Sequence, residues 1–177
     1  MAEESVKSAS NQDSFIIRRA TEADAAGVVA ILQRIASERI FSAIDQPWSV
    51  EEERSYLKSL SPREVVYVGV AASGEIIGFQ SLDLWAPTLN SMAHVAQLGT
   101  FILPEWRRCG VGNALFRRTV AFAREAGYRK VVIFVRASNG SAQAFYERLG
   151  FRPCGRLTRQ VRIEEQEDDE ILMELFL

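Results

Sequence analysis

The spacing of apolar positions changes several times along the chain, and each change marks an element. Phe15-Ile16-Ile17-Arg18-Arg19 reads as a short strand. Thr21-Glu22-Ala23-Asp24 then sets a hydroxyl three positions before a carboxylate, and Val28, Ile31, Leu32 and Ile35 follow at helical spacing, so a first helix starts here. Ser49-Val50-Glu51-Glu52 repeats the start signal for a second helix that ends near Leu60-Ser61-Pro62. From Val65 the pattern is strand-like: Val65 to Ala71 and Ile76 to Leu84 flank the turn Ala72-Ser73-Gly74-Glu75 and predict an antiparallel hairpin. His94 to Leu103 is a further strand, and the stripe Val111, Ala114, Leu115, Thr119, Phe122 and Ala126 is a helix that stops at Gly127. Val131 to Val135 is continuously apolar, which predicts a central strand buried on both faces. A short helix from Ser141 to Leu149 and a terminal hairpin, Phe151 to Ile163 and Ile171 to Phe176, complete the chain. This order predicts an α/β (α+β) fold: a mixed, mostly antiparallel sheet of six to seven strands with helices on both faces.

Composition narrows the picture. With 177 residues, 47% of them hydrophobic and 25% charged, the chain fits one globular domain over residues 14–177. The polar, Ser-rich segment 1–13 is expected to be a disordered leader, and it lacks the apolar core of a secretory signal. A net charge of −2 gives no whole-chain attraction to nucleic acid or to an anionic membrane. No segment has the length of a membrane span. Cys109 and Cys154 are too few and too far apart for a zinc site or a disulfide framework, so no metal is expected and a reducing cytoplasm is the simplest setting.

The densest chemistry lies in Ile102-Leu103-Pro104-Glu105-Trp106-Arg107-Arg108-Cys109-Gly110-Val111-Gly112-Asn113, where a strand turns into a helix. Gly110 and Gly112 let the backbone approach an anion, and the N–H groups and dipole of the following helix point at it. Arg107 and Arg108 add forked donors suited to phosphate oxygens. A P-loop would need Lys-Ser or Lys-Thr after Gly112, where Asn113-Ala114 stands, and a dinucleotide fingerprint would need Gly where Leu115 stands. The loop therefore fits a pyrophosphate of another kind. Cys109 sits where a thiol pKa could fall, but it equally fits as a small residue in a variable loop position.

Arg107-Arg108-Cys109-Gly110-Val111-Gly112 resembles the Arg/Gln-x-x-Gly-x-Gly/Ala signature of the GCN5-related N-acetyltransferases. The segment Ser138-Asn139-Gly140-Ser141-Ala142-Gln143-Ala144-Phe145-Tyr146-Glu147-Arg148-Leu149-Gly150-Phe151 resembles that family's later block. Similarity extends from about Phe15 to the C-terminus, and within the family it points to the phosphinothricin and amino acid acetyltransferases. The resemblance implies acetyl-CoA as cofactor, held in a gap where the strand ending Thr100-Phe101-Ile102 splays from Val131 to Val135. It implies cofactor contacts from Phe101, Ile102 and Leu103, from Arg107, Arg108, Cys109, Gly110, Val111, Gly112 and Asn113, and from Asn139, Ser141 and Tyr146. It also assigns Tyr146 the role of general acid toward the leaving thiolate; read from the residues alone, Tyr146 could be a core aromatic and Asn139 a helix cap.

An alkylamine is mostly ammonium at neutral pH and must lose a proton before it can attack a thioester. The position matching the family's usual basic glutamate is Gln97, and an amide cannot take that proton. Asp83, His94 and a water-relayed carboxylate remain as candidates. Phe41, Asp45 and Trp48, in the loop between the first two helices, together with Gln97, are candidates for the acceptor site. The run Glu164-Glu165-Gln166-Glu167-Asp168-Asp169-Glu170 is expected to form an acidic turn at the tip of the terminal hairpin. The expected activity is transfer of an acetyl group from acetyl-CoA to the primary amine of a small molecule: amino acid-like, polyamine or antibiotic. A protein N-terminal or lysine acetyltransferase, a non-catalytic acyl-CoA binder and a nucleotide-phosphate binder are the alternatives. A homodimer formed through the edge near the terminal hairpin is a further expectation.

Overall fold

The computed structural model describes residues 5–6, 14–40 and 42–177. The leader expected to be disordered lies outside these residues except for Ser5–Val6, and the candidate wall residue Phe41 lies outside them too. The elements in order are β1 (Ser5–Val6), β2 (Phe15–Arg19), α1 (Ala25–Glu38), α2 (Val50–Ser59), β3 (Val65–Ala71), β4 (Ile76–Leu84), β5 (Val95–Ile102), α3 (Val111–Glu125), β6 (Lys130–Arg136), α4 (Gly140–Arg148), β7 (Arg152–Ile163) and β8 (Gln166–Phe176). They form one sheet in the order β1-β2-β3-β4-β5-β6-β8-β7, antiparallel at every pair except β5 with β6. The seven predicted strands are all present, with the two-residue β1 added at one edge.

Both helix starts carry the predicted side-chain pairing, Thr21 with Asp24 and Ser49 with Glu52, and a short 3-10 turn precedes α1. Asp24 does a second job: Arg18 grips it through two hydrogen bonds of 2.7 Å each, which ties the start of α1 to β2. Helices α1 and α2 cover one sheet face through Val28, Ile31, Leu57, Val68 and Phe79. Helices α3 and α4 cover the other through Phe116, Ala123 and Tyr146 against Leu82, Leu98, Ile133 and Met173. Burial of each such side chain favours the fold by about 1.5–3 kcal/mol.

The terminal hairpin departs from expectation. Its second strand begins at Gln166 rather than Ile171, so most of the acidic run is strand and only Glu164 and Glu165 turn. The physical reason is charge pairing. Arg156 meets Asp169 at 2.6 Å and Arg159 meets Glu167 at 2.8 Å across the hairpin, while the nearly buried Arg136 on β6 meets Asp168 at 2.9 Å. With cations opposite, carboxylates lose their reason to stay in a solvated turn.

Candidate active site

The two central parallel strands are joined only at their beginnings. β5 pairs with β6 at Val95–Lys130, Ala96–Val131 and Gln97–Val132, and there the pairing stops. β5 continues along β4 as far as Ile102 opposite Gly78, and β6 continues along β8 as far as Arg136 opposite Glu170. Each strand follows its outer neighbour, so the inner edges part. The opening holds a cavity of about 620 Å³, lined by Thr100, Phe101 and Ile102 of β5, by the following loop and the first turn of α3, and by α4.

The loop is built for this position. Pro104–Trp106 makes a 3-10 turn, Arg108 takes φ 64° and Gly110 φ 88°, and α3 starts at Val111. The N–H groups of the first turn of α3 have no partner within the helix. Gly112 sits deeper: a Cβ there would lie 3.0 Å from Phe145 Cζ and 3.2 Å from Ile102 Cδ1. A side chain at this point would intrude between the cavity's two walls. Arg108 is exposed and lines the cavity.

Arg107 is engaged differently from the sequence expectation. Its guanidinium donates to both carboxylate oxygens of Glu38, at 3.1 and 2.6 Å, and its Nε donates to the Ile102 carbonyl at 3.2 Å. It lines the cavity, yet its fork fastens the loop to the end of α1. Leu103 and Val111 turn into the core, and exposed Cys109 leans on loop carbonyls, so these three are not part of the cavity wall.

On the α4 side, Asn139 caps the helix, its Oδ1 accepting from the Ala142 N–H at 3.1 Å and from the Ser141 hydroxyl at 3.0 Å, and it also faces the cavity. Tyr146 is buried between Phe145 and Phe151, with ring centroids 5.1 and 5.4 Å away. It is both a core aromatic and a cavity residue. Burial pushes its hydroxyl up to about 12, partly offset by Thr100, so it holds its proton at neutral pH.

The opposite sheet face carries the groups nearest Gln97. Asp83 is the cross-strand partner of Gln97, at the last register before the strands part. Its carboxylate accepts the hydroxyl of Tyr56 from α2, and burial raises its pKa. Trp48 packs edge-on against Tyr56 at 5.6 Å. Asp45 is exposed, and so is His94, which precedes β5 and whose carbonyl accepts from the Arg129 and Lys130 N–H groups. The structure thus brings Asp83, and not His94, to the start of the opening.

Two residues escaped the sequence reading. Glu53 occupies an inward position of α2 beside Tyr56 and Leu57, and a charged residue on an otherwise inward stripe was the available signal. Arg136 donates to Asp168 and also to the Arg39 carbonyl at 2.8 Å, which ties the loop between α1 and α2 to the sheet. Its partners are 32 and 97 residues away, and no local pattern announces them. Among the described residues no group of three His, Cys, Asp or Glu is placed to hold a metal, and no helix is long and apolar enough to cross a membrane.

Comparison with known proteins agrees with this geometry. A profile of the acetyltransferase (GNAT) family matches residues 29–151. An aminoglycoside N(6')-acetyltransferase type 1 from Stenotrophomonas maltophilia is 32% identical over 145 residues, covering 80% of this chain and 88% of that protein. An N-alpha-acetyltransferase, RimI, from Mycobacterium tuberculosis is 27% identical over 119 residues, or 67% and 70% of the two chains. The crystal structure of a phosphinothricin acetyltransferase from Sinorhizobium meliloti in complex with acetyl-CoA superposes with a TM-score of 0.84 at 19% identity, covering 91% of this chain and 87% of that one.

Proposed function

This chain belongs to the acetyltransferase (GNAT) family, whose cofactor is acetyl-CoA, and from that premise we propose that it acetylates the primary amine of a small molecule with an apolar body. The observation that carries the reading is the parting of β5 from β6 over a cavity that meets the Arg108–Gly112 loop at one end and Tyr146 in its wall. These residues fit acetyl-CoA. Arg108 and the N–H groups at the start of α3 would hold the pyrophosphate. The stretch of β5 that β6 leaves, Thr100 to Ile102, would hold the amide-bearing arm, with Asn139 and Ser141 facing it. Gly112 keeps the passage open.

When bound, acetyl-CoA supplies an acyl group on a thioester that a neutral amine can attack. The chain's own residues then manage protons and orientation. Asp83, with the Tyr56 hydroxyl fixing one oxygen, takes the proton of the incoming ammonium. Tyr146 keeps a donatable proton in the cavity wall. Trp48 and Tyr56 offer aromatic surface beside a carboxylate, an arrangement that suits a cation on an apolar body. The aminoglycoside relative supports a small cationic acceptor, and the RimI relative supports the second reading, a protein N-terminus.

Calorimetric titration of acetyl-CoA tests the cofactor site. Arg108→Ala is expected to weaken binding about tenfold, the loss of one charge-assisted hydrogen bond. Tyr146→Phe should bind normally but turn over about 10²-fold more slowly. A thiol-release assay over an aminoglycoside, a polyamine, amino acids and a peptide with a free N-terminus then ranks the acceptors. Absence of acetyl-CoA binding overturns the reading, and binding without turnover of any amine leaves the chain a non-catalytic acyl-CoA binder.

A further inference from the structure

The acceptor side contains a carboxyl group that nothing above employs. Glu53 faces inward from α2 and is 2% exposed, yet no hydrogen bond or ion pair engages its carboxyl among the described residues. An ionised carboxylate in that setting is costly unless it is paired or protonated. Glu53 is influenced by Asp83 on β4 and itself influences Tyr56 on its own helix; Ser81 on β4 and Glu64 from the turn before β3 act in turn on Asp83. Glu64 is occupied by the N–H groups of Ser61 and Leu84, at 3.1 and 3.4 Å. The nearby Arg63 donates to the Ala93 carbonyl and lies over the Tyr128 ring, so it neutralises none of these carboxyls. Glu53 lies one turn from Tyr56 on α2, the Tyr56 hydroxyl reaches Asp83, and Asp83 stands across from Gln97 on β5, so the two carboxyls act on one another in low dielectric with no cation paired to either among the described residues.

We propose that Asp83 and Glu53 act as one proton acceptor in place of the basic side chain that Gln97 cannot provide, with Asp83 meeting the ammonium and Glu53 acting through Asp83 as a positioning residue. The inference rests on the amine-acetylating reading above. The proton balance is simple: an N–H bond of the ammonium breaks, its electron pair stays on nitrogen, and an O–H bond forms on Asp83.

Glu53 matters because a lone aspartate is too weak a base for an alkylammonium. Two interacting carboxyls lose their protons in two steps that belong to the pair. Asp83, stabilised by the Tyr56 hydroxyl, ionises first. The second step then falls near neutrality, as Glu53 is raised to about 7 by burial and by the charge of Asp83. A base tuned to that range is well matched to its task. An arriving ammonium supplies the missing countercharge and favours the fully ionised pair.

The test uses two readouts. Carboxyl-carbon NMR of protein labelled at glutamate, with neither acetyl-CoA nor amine present, should show one glutamate titrating near neutrality. That signal should vanish in Glu53→Gln and move to lower pH in Asp83→Asn, where the charge that raises it is gone. Thiol release with acetyl-CoA and 2-phenylethylamine should give kcat/KM rising through neutrality between about pH 5 and 9. Glu53→Gln should move that limb to lower pH while acetyl-CoA affinity stays unchanged, and Asp83→Asn should lose about 10²-fold or more in kcat/KM. Should Glu53→Gln fail to fold, Asp83→Asn reads the same glutamate from its neighbour. If no glutamate titrates near neutrality, or if amines are acetylated and the Glu53→Gln profile overlays that of the unaltered protein, the pair is refuted while the proposed function stands. If acetyl-CoA binds and neither 2-phenylethylamine nor the wider amine panel is acetylated, the functional reading fails and takes the pair with it.

Discussion

Gly110 and Gly112 stand two residues apart in one motif and are glycine for different reasons. Gly110 has φ 88° and open space where a Cβ would go, so its requirement is conformational. Gly112 opens the helix with ordinary backbone angles, but its missing side chain leaves room for Phe145 and Ile102. Alanine should separate the two. Gly110→Ala is expected to cost about 1–2 kcal/mol of left-handed strain, whereas Gly112→Ala should cost about 1–3 kcal/mol of overpacking and also narrow the cavity. Chemical denaturation with acetyl-CoA titration checks this: a Gly112→Ala protein with unchanged affinity would remove Gly112 from the site. The glycine spacing was legible in the sequence, but the distinction between them required knowing what lies opposite.

Among elements, two arginines hold the site's walls together. Arg107 clamps the loop before α3 to the end of α1 through Glu38, and Arg136 clamps the loop after α1 to β6 and β8 through the Arg39 carbonyl and Asp168. The side chains of Arg136 and Asp168 are 8% and 14% exposed, so this pair is shielded from water in a way that the arginines along the terminal hairpin are not. Arg136→Met would leave Asp168 without its cation and is expected to cost about 3 kcal/mol. Amide exchange should quicken across residues 42–49 and stay slow in α3; uniform quickening in both would mean that Arg136 serves only global stability. Arg107 reads as a phosphate ligand in the sequence because local pattern displays a fork beside glycines, and that pattern could not display Glu38, 69 residues earlier. Similarly, the acidic run looked like a turn because its cationic partners lie on other strands.

For the whole molecule, stability should carry the imprint of Glu53. An ordinary glutamate titrates near 4.5 and this one near 7, so between those values the folded chain holds a proton that the unfolded chain releases. This contribution is complete below about 4.5 and is lost as pH rises through about 7. Asp24, lowered chiefly by its hydrogen bonds with Arg18, acts in the opposite sense, adding stability that disappears only as the medium becomes strongly acidic. The difference in unfolding midpoint between the protein and Glu53→Gln should therefore shift in favour of the glutamine variant as pH rises through that window; a constant difference would show that Glu53 ionises as it does in the unfolded chain. Element order, the buried central strand, the glycine loop before α3 and the place of Tyr146 on α4 were all determined by the sequence itself, because helical and strand periods, capping pairs and turn glycines act over a few residues. The release of β5 from β6, the pairing of Arg107 with Glu38, the placing of Asp83 opposite Gln97 and the burial of Glu53 were decided only by the tertiary structure, because each depends on which surfaces distant segments present to one another and on how far water is excluded between them.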